Sequence, residues 1–258
     1  MALIAMAVYS TAENKKDLQL RKTLQSLWET VDFSKHRLII SINGSTPLTG
    51  EILFDYEEMI HDVIVNESNI GTAKAINKAW VKRAPGEHCI KIDDDVVIHS
   101  DGWADELEEA IRRDPSIGII GLKRKDLIES THHEDNNYRS QLIQLPHQPG
   151  ERWMVIERAR GIMGTCKMVN YKLLDKIGYL YQPSVYGFDD SMYSLRSDLA
   201  GFINCFLPHI EIDHIDPGGT DYTKWKQEHA GEIMAQAQKL VAEYSRGIRP
   251  IYEDANAN

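Results

Sequence analysis

The first 92 residues of the chain alternate short apolar runs with segments of helical periodicity. We predict strands at residues 3–8, 37–42, 62–65 and 88–92, and helices between them at residues 15–30, 51–60 and 71–82. Strands that are joined by crossover helices pair in parallel, and ligands bind beyond the carboxyl ends of such strands. The alternation therefore predicts an α/β domain with a mostly parallel central sheet flanked by helices, and a binding site along one edge of that sheet.

Three consecutive carboxylates, Asp93, Asp94 and Asp95, follow the fourth predicted strand. A carboxylate in an apolar setting must be paired, protonated or bound to a metal, because an isolated buried charge is costly. Oxygen ligands of this kind suit Mg²⁺ or Mn²⁺, which bind through carboxylates together with substrate phosphates. A solvated acidic turn is the alternative interpretation of the triplet taken alone. Its position after a buried strand favours a divalent cation site.

The second half of the chain is less regular. We predict helices at residues 105–112, 171–177, 187–199 and 223–246, strands at 117–121, 152–157, 165–170, 202–207 and 210–214, and a frayed tail at 251–258. The segment from 122 to about 150 is polar, and so long a loop is usually functional or mobile, so we expect specificity to lie there. Its His132 and His133 could bind a metal, although exposed loop histidines are usually only solvated.

Composition narrows the class of protein. A formal net charge of −10 is unfavourable for a protein that follows a nucleic acid backbone. The three cysteines, Cys89, Cys166 and Cys205, lack zinc spacing and lie in apolar surroundings, so we expect reduced core residues. No apolar stretch approaches the ~20 residues that span a bilayer, and the apolar start lacks the basic region of a signal peptide. We therefore expect a cytoplasmic protein.

Further polar segments mark the ends of predicted elements. They are Ser10-Thr11 after the first strand, Asn69 to Asn77 at the start of the third helix, Asp189-Asp190 at a later helix start, and His214 at a strand end. The free N–H groups near Gly71 favour a phosphate, although Asn and Gly also cap ordinary helices. Likewise, one acid of the Asp189-Asp190 pair could serve only as a helix cap.

The order and separation of these segments resemble the GT-A fold glycosyltransferases, particularly the large inverting family 2. The resemblance rests on Asp93-x-Asp95 after the fourth strand and on Asp189-Asp190, about 95 residues later, in place of the family's Glu-Asp pair. It extends from about residue 3 to about residue 222. It implies a single GT-A (Rossmann-like) domain at 1–221, with a nucleotide-sugar half at about 1–100 and an acceptor half at about 101–221. A C-terminal helix and tail would occupy 222–258.

This resemblance implies a metal-assisted transfer, with inversion, from a nucleotide-diphosphate-sugar to an acceptor hydroxyl. A UDP-sugar is the expected donor, and the acceptor would be a glycan, a lipid-linked molecule or a protein. The cofactor would be Mn²⁺ or Mg²⁺, held by Asp93, Asp95 and His214. Asp190 would act as general base, and Asp189 would orient the acceptor. The residues implied for donor binding are Thr11, Asn43, Asn69, Gly71, Lys74, Asp93 and Asp94.

Several positions depart from the family pattern or have a second interpretation. Ile42, followed by Asn43, stands where the family often has an acid that reads the nucleotide base, and Met192 replaces another acid. Lys74 could be a solvated helix lysine. The aromatic rings of Trp153 and Tyr186 could stack on a sugar, although large aromatic residues more often belong to the core.

Two other functions stay open at this point. A sugar nucleotidyltransferase also uses a metal on an α/β sheet, but it usually carries a basic, glycine-rich loop after the first strand, where this chain has Tyr9 to Asn14. A non-catalytic nucleotide-sugar binding module is disfavoured by two intact sets of paired acids. The net charge also makes a nucleic acid acceptor less favourable than a hydroxyl of a glycan, lipid or protein.

Overall fold

The computed structural model describes residues 1–128, 141–183, 187–216 and 221–256. The predicted metal candidates His132 and His133 and the stacking candidate Tyr186 lie outside the described residues. Within them, ten strands join one sheet. The strands are β1 (Ala2–Val8), β2 (Arg37–Asn43), β3 (Ile60–Asn66), β4 (His88–Ile92), β5 (Val96–Ile98), β6 (Ile117–Arg124), β7 (Gln141–Gln144), β8 (Val155–Arg158), β9 (Cys166–Val169) and β10 (Ile203–His214). The α-helices are α1 (Asp17–Thr30), α2 (Pro47–Phe54), α3 (Thr72–Trp80), α4 (Trp103–Arg113), α5 (Lys125–Ile128), α6 (Tyr171–Ile177), α7 (Asp189–Leu199) and α8 (Asp221–Ser245).

The strand order is β3-β2-β1-β4-β9-β6-β10-β8-β7, with β5 paired to β10. The pairs among β3, β2, β1 and β4 are parallel, as is the long β6–β10 pair, and parallel pairs hold most of the paired residues. Strand β9 enters antiparallel between β4 and β6. The predicted α/β class with a mostly parallel central sheet is confirmed.

Strand β1 lies at the centre of three layers. Ile4 and Met6 belong to the core layer that contains the apolar side chains of α1, α2 and α4. Leu3 and Ala5, on the opposite face, belong to the layer with α3 and α6. A parallel strand that is covered on both faces reads as a continuous apolar run, which explains the composition of β1. The chain leaves β1 toward β2 on one side and returns as β4 on the other, and such a switch point is where α/β sheets bind ligands.

Several predicted boundaries are wrong. The helix predicted at 51–60 ends at Phe54, because Ile60 already pairs with Leu38 in the sheet. The strands predicted at 202–207 and 210–214 are the single strand β10, whose register shifts between Leu207 and Glu211, around Pro208. Proline cannot donate to a strand ladder, so it interrupts the apolar pattern without ending the strand. Strand β7 was not predicted.

The predicted fraying of the tail is also wrong as far as residue 256. The backbone N–H of Tyr179 donates to the carbonyl of Glu253 at 2.9 Å, and the N–H of Glu253 donates to the carbonyl of Ile177 at 2.9 Å. Before this segment, Leu240 and Tyr244 of α8 pack with Met192 of α7. No helix among the described residues is both long and apolar enough to cross a membrane.

Arg196 connects this tail to the domain. Its side chain is fully buried, and its guanidinium donates to the carbonyls of Ile177, Tyr179 (2.8 Å) and Ile251 (2.7 Å). A buried carbonyl that loses its donor keeps the full cost of desolvation. Arg196 is therefore a structural residue.

Arg196→Leu should lower the free energy of unfolding by about 3 kcal/mol or more, because three buried carbonyls lose their donor. Urea denaturation followed by circular dichroism measures this change. The matched control is Arg246→Leu, which removes an exposed arginine from the end of the chain and should cost no more than about 0.5 kcal/mol. Equal effects of the two substitutions would contradict the assignment.

Candidate active site

A cleft of about 800 Å³ opens at the carboxyl ends of β1 and β4. The sequence-predicted residues that line it are Asn43, Asn69, Asp93, Asp94, Asp95, Asp189, Asp190 and His214. Thr11, Gly71 and Lys74 are not among the lining residues in the described part of the chain, and Thr72 lines the cleft beside Gly71. The switch point of the sheet thus brings together acids that are about 95 residues apart in sequence.

The acidic triplet is held in place by its own backbone. The N–H of Asp93 donates to the carbonyl of Thr165 at 3.0 Å. The hydroxyl of Thr23 donates to the carbonyl of Asp94 at 3.1 Å and accepts from the N–H of Val96 at 3.0 Å. These bonds close the sharp turn between β4 and β5. The three carboxylates therefore project from a rigid turn rather than from a loose loop.

Asp95, His214 and Asp216 form a candidate metal site. One ligand atom from each lies within 4.8 Å of the others. The Oδ1 atom of Asp95 is buried, lies 3.4 Å from Nε2 of His214, and has no hydrogen-bond partner among the described residues. A buried carboxylate oxygen without a donor is costly, and a cation would satisfy it. This donor set fits a divalent ion such as Mn²⁺.

The predicted ligands Asp95 and His214 are thus together, and Asp216 joins them. Asp93, the third predicted ligand, is not part of this cluster, and its Oδ1 lies 3.5 Å from the ammonium of Lys91. Asp216 follows His214 by two residues in the sequence, and this short spacing could have indicated Asp216 as a further metal ligand.

Protonation differs across the triplet. Burial, reinforced by the neighbouring acids, raises the pKa of Asp93 to about 7 and that of Asp94 to about 6. Burial also acts to raise the pKa of Asp95, but Lys16 and His214 outweigh it and hold that pKa below its usual value. Asp95 is therefore the member of the triplet that is most readily ionised.

Two buried lysines lie beside the acidic pair Asp189-Asp190. Lys167 Nζ lies 2.6 Å from Oδ1 of Asp190, and Lys91 Nζ lies 3.3 Å from the same oxygen. Lys91 also lies 3.5 Å from Oδ2 of Asp189. The two lysines are directly opposite each other in the β4–β9 register, where like charges repel. The carboxylates stabilise this arrangement.

The members of the acidic pair have opposite electrostatic settings. Burial acts to raise the pKa of Asp190, but Lys167 and Lys91 outweigh it and hold that pKa well below the usual carboxyl value. Burial and the neighbouring Asp190 raise the pKa of Asp189. Asp190 keeps 26% of its side chain exposed, toward the cleft, and is the ionised, accessible member of the pair.

Sequence reasoning missed Lys91, Lys167 and Lys16. The signal for Lys91 and Lys167 was a single lysine inside an otherwise apolar strand, since a buried lysine requires a partner. Lys16 carried no signal, because a lysine before an amphipathic helix is common.

Gly164 approaches the acidic pair closely. A Cβ atom at this position would lie 2.1 Å from Oδ2 of Asp190 and 2.1 Å from Nζ of Lys91. A larger residue would fit only if the Asp190 carboxylate and the Lys91 ammonium moved, so glycine lets the loop before β9 pass beside the ion pair without displacing it.

Asn43 and Asn69 join the loops that follow β2 and β3. Asn43 Nδ2 donates to Asn69 Oδ1 at 2.8 Å, and Asn43 Oδ1 accepts from the N–H of Ile70 at 3.0 Å. Gly44 has φ +80°, and a Cβ there would meet the Asn69 nitrogen at 2.8 Å. Asn77 instead donates to the carbonyl of Leu180 at 2.8 Å and supports the fold.

Comparison with protein families agrees with this geometry. The family model described as glycosyl transferase family 2 matches residues 10–178. The chain belongs to glycosyl transferase family 2. The match begins just after β1, includes β2 to β4, the acidic triplet and Gly164, and ends before Asp189-Asp190.

Solved glycosyltransferase structures share the fold of this family 2 chain. The mannosyltransferase PcManGT from Pyrobaculum calidifontis, in complex with GDP-Man and Mn²⁺, is 15% identical with a TM-score of 0.68, over 92% of this chain and 64% of that chain. TarS 1–349 from S. aureus is 17% identical with a TM-score of 0.62, over 95% and 70%. GalNAc-T7 with UDP, GalNAc and Mn²⁺ is 14% identical with a TM-score of 0.59, over 83% and 43%. The present chain thus spans 64% of the mannosyltransferase it matches. A comparison with curated proteins finds no match.

Gly164→Ala in this family 2 chain should displace Asp190 and Lys91 and lower the free energy of unfolding by about 1–3 kcal/mol through overpacking. A crystal structure of the variant and urea denaturation measure the two effects. Gly161→Ala is the matched control, because Gly161 lines the same cleft and an added Cβ meets no described atom within 4 Å. An undisplaced Asp190 in the Gly164 variant would contradict the close approach.

Proposed function

We propose that this chain transfers a sugar from a nucleotide-diphosphate-sugar to an acceptor hydroxyl, with inversion and with the help of a divalent metal ion. The observation that carries the proposal is the content of one cleft. It holds an oxygen and imidazole cluster at Asp95, His214 and Asp216, and a separate acidic pair at Asp189 and Asp190. A metal ion at the cluster would stabilise a diphosphate leaving group, and the acidic pair would accept the proton of an attacking hydroxyl.

Asp95, His214 and Asp216 would hold the metal ion. The buried Oδ1 of Asp95, which accepts no hydrogen bond from any residue that the structure describes, supports this assignment. When bound, Mn²⁺ or Mg²⁺ would neutralise the charge that develops on the departing diphosphate. Burial and Asp95 act in opposite directions on the imidazole, and burial lowers the pKa of His214, which favours the neutral form that ligates metals.

Asp190 would be the general base. As the acceptor oxygen attacks the anomeric carbon, the bond from that carbon to the diphosphate oxygen breaks, and the hydroxyl proton passes to the Asp190 carboxylate. The hydroxyl becomes strongly acidic only as its new bond to an oxocarbenium-like carbon forms, so a base of low pKa is sufficient. Lys91 and Lys167 would keep Asp190 ionised and fix its orientation, while Asp189 would orient the acceptor.

The donor would lie between the loops that Asn43 and Asn69 connect, with its diphosphate toward the triplet. A UDP-sugar is the proposed donor, and both asparagines line the cleft wall. Asp93 and Asp94 would contact the ribose of the donor. The acceptor, a hydroxyl of a glycan, a lipid-linked molecule or a protein, would approach from the side of Gly161, Gly164 and α7.

A panel of UDP- and GDP-sugars, incubated with the protein and Mn²⁺, should give nucleoside diphosphate release with at least one donor, because the sugar passes to water when no other hydroxyl is supplied. A chelator should abolish this release. Chromatography of the nucleotides measures the release, and NMR of the anomeric proton checks inversion. Formation of a nucleoside triphosphate and a sugar 1-phosphate when pyrophosphate is added would instead identify a nucleotidyltransferase. Tight donor binding without turnover would identify a binding module.

Asp190→Asn should lower kcat by about 10²–10⁴, the range typical of general acid–base catalysis, and leave the Kd of the nucleoside diphosphate within about threefold. Turnover and calorimetric titration measure these quantities, and a melting curve verifies folding. Asp198→Asn, an exposed acid on the same helix, is the control and should behave like the wild type. Undiminished turnover in the Asp190 variant would remove this residue from the mechanism.

A further inference from the structure

The ammonium of Lys16 lies inside the acidic triplet. Its Nζ is 2.7 Å from Oδ2 of Asp95 and 3.6 Å from Oδ1 of Asp94. Only 18% of the Lys16 side chain is exposed, and it lines the cleft. The lysine thus neutralises one oxygen of Asp95, and the other oxygen of the same carboxylate faces His214.

The loop before α1 delivers this lysine at a local cost. Lys15 has φ +50°, a left-handed conformation that side-chain-bearing residues rarely adopt. A turn stabilises it, since the N–H of Lys15 donates to the carbonyl of Thr11 at 3.0 Å and the N–H of Lys16 donates to Asn14 Oδ1 at 3.2 Å. Lys16 is also the N-cap of α1, where the helix dipole disfavours a cation. The left-handed backbone of Lys15 and the cation at the N-cap are both locally unfavourable, and together they place Lys16 in the cleft. Local features of this kind are typical of functional sites.

The charges define what Lys16 can do. A divalent ion at Asp95, His214 and Asp216 would take over the charge of Asp95 and repel an ammonium that lies 2.7 Å from the same carboxylate. The donor diphosphate is the anion that would enter the cleft with the metal. A lysine on a flexible four-carbon stem can exchange one anion for the other without movement of the backbone.

We propose that Lys16 is a tethered counter-ion that holds Asp94 and Asp95 when no metal is bound and moves to the donor diphosphate when the metal binds. This inference rests on the proposed function, because the diphosphate belongs to the proposed donor. Lys16 competes with the metal ion for Asp95 in the metal-free cleft, and it strengthens nucleotide binding in the metal-bound cleft. Since binding linkage is reciprocal, it couples the affinities for the two ligands.

Lys16→Met separates the two halves of this role. Titration of Mn²⁺ alone, followed by electron paramagnetic resonance of the free ion, should show metal binding about tenfold or more tighter than in the wild type, because a competing charge is gone. Calorimetric titration of UDP and GDP at saturating Mn²⁺ should show about tenfold weaker binding of the nucleotide that binds the wild type. A purely structural role of Lys16 would weaken both ligands together.

Two control variants accompany this test. Lys22→Met removes an exposed lysine from the same helix and should change neither affinity, and Lys16→Arg should retain the wild-type order of both. Unchanged or weaker Mn²⁺ binding in Lys16→Met, with Mn²⁺ bound by the wild type, overturns the counter-ion role and leaves the proposed function intact. Absence of Mn²⁺ binding by both the wild type and Lys16→Met overturns this inference and the metal assignment of the proposed function together.

Discussion

Charge compensation inside one cleft is the constraint on which the rest of the site depends. Six aspartates, at positions 93, 94, 95, 189, 190 and 216, line the same partly buried cleft, where bulk water screens their mutual repulsion poorly. Three lysines from different parts of the chain supply the opposite charge. Lys16 faces Asp94 and Asp95, whereas Lys91 and Lys167 face the acidic pair. The cleft therefore has two acidic groups, each with its own nearest lysine, Lys16 for the triplet and Lys167 for the pair.

The direction of β9 explains how the two acidic groups come so close. A strand that runs antiparallel to β4 begins where β4 ends, so Cys166 lies opposite Ile92. The loop before β9 consequently reaches the same edge of the sheet as the acidic triplet, and it carries Gly164 to the side of Asp190. The same pairing sets Lys167 opposite Lys91. A fully parallel sheet would carry the start of the next strand to the opposite edge, away from the cleft.

The sequence predicts features that are recorded in a few neighbouring residues, and it does not predict contacts between residues that are far apart in the chain. The strands β1 to β4, the triplet and the pair at Asp189 have local signatures, either a periodic pattern or adjacent like charges. Lys167 and Asp190 instead meet across 23 residues, and Lys91 and Asp190 meet across 99, so no local pattern records either contact. The predictions for β10 and for the tail were wrong for a related reason. Pro208 and the polar residues near Glu253 resemble loop sequence until their partners in the fold are known.

Lys91 links the two acidic groups of the cleft. Its ammonium is 3.5 Å from Asp93, which belongs to the triplet, and 3.3 Å from Asp190, which belongs to the acidic pair. Because one buried charge is shared between these two carboxylates, a gain of positive charge near the triplet relieves Asp93 and leaves more of Lys91 to Asp190. Cation binding beside the triplet would thus strengthen the ion pair that orients Asp190. Such an effect would need no movement of the sheet, because the Lys91 ammonium already contacts both carboxylates.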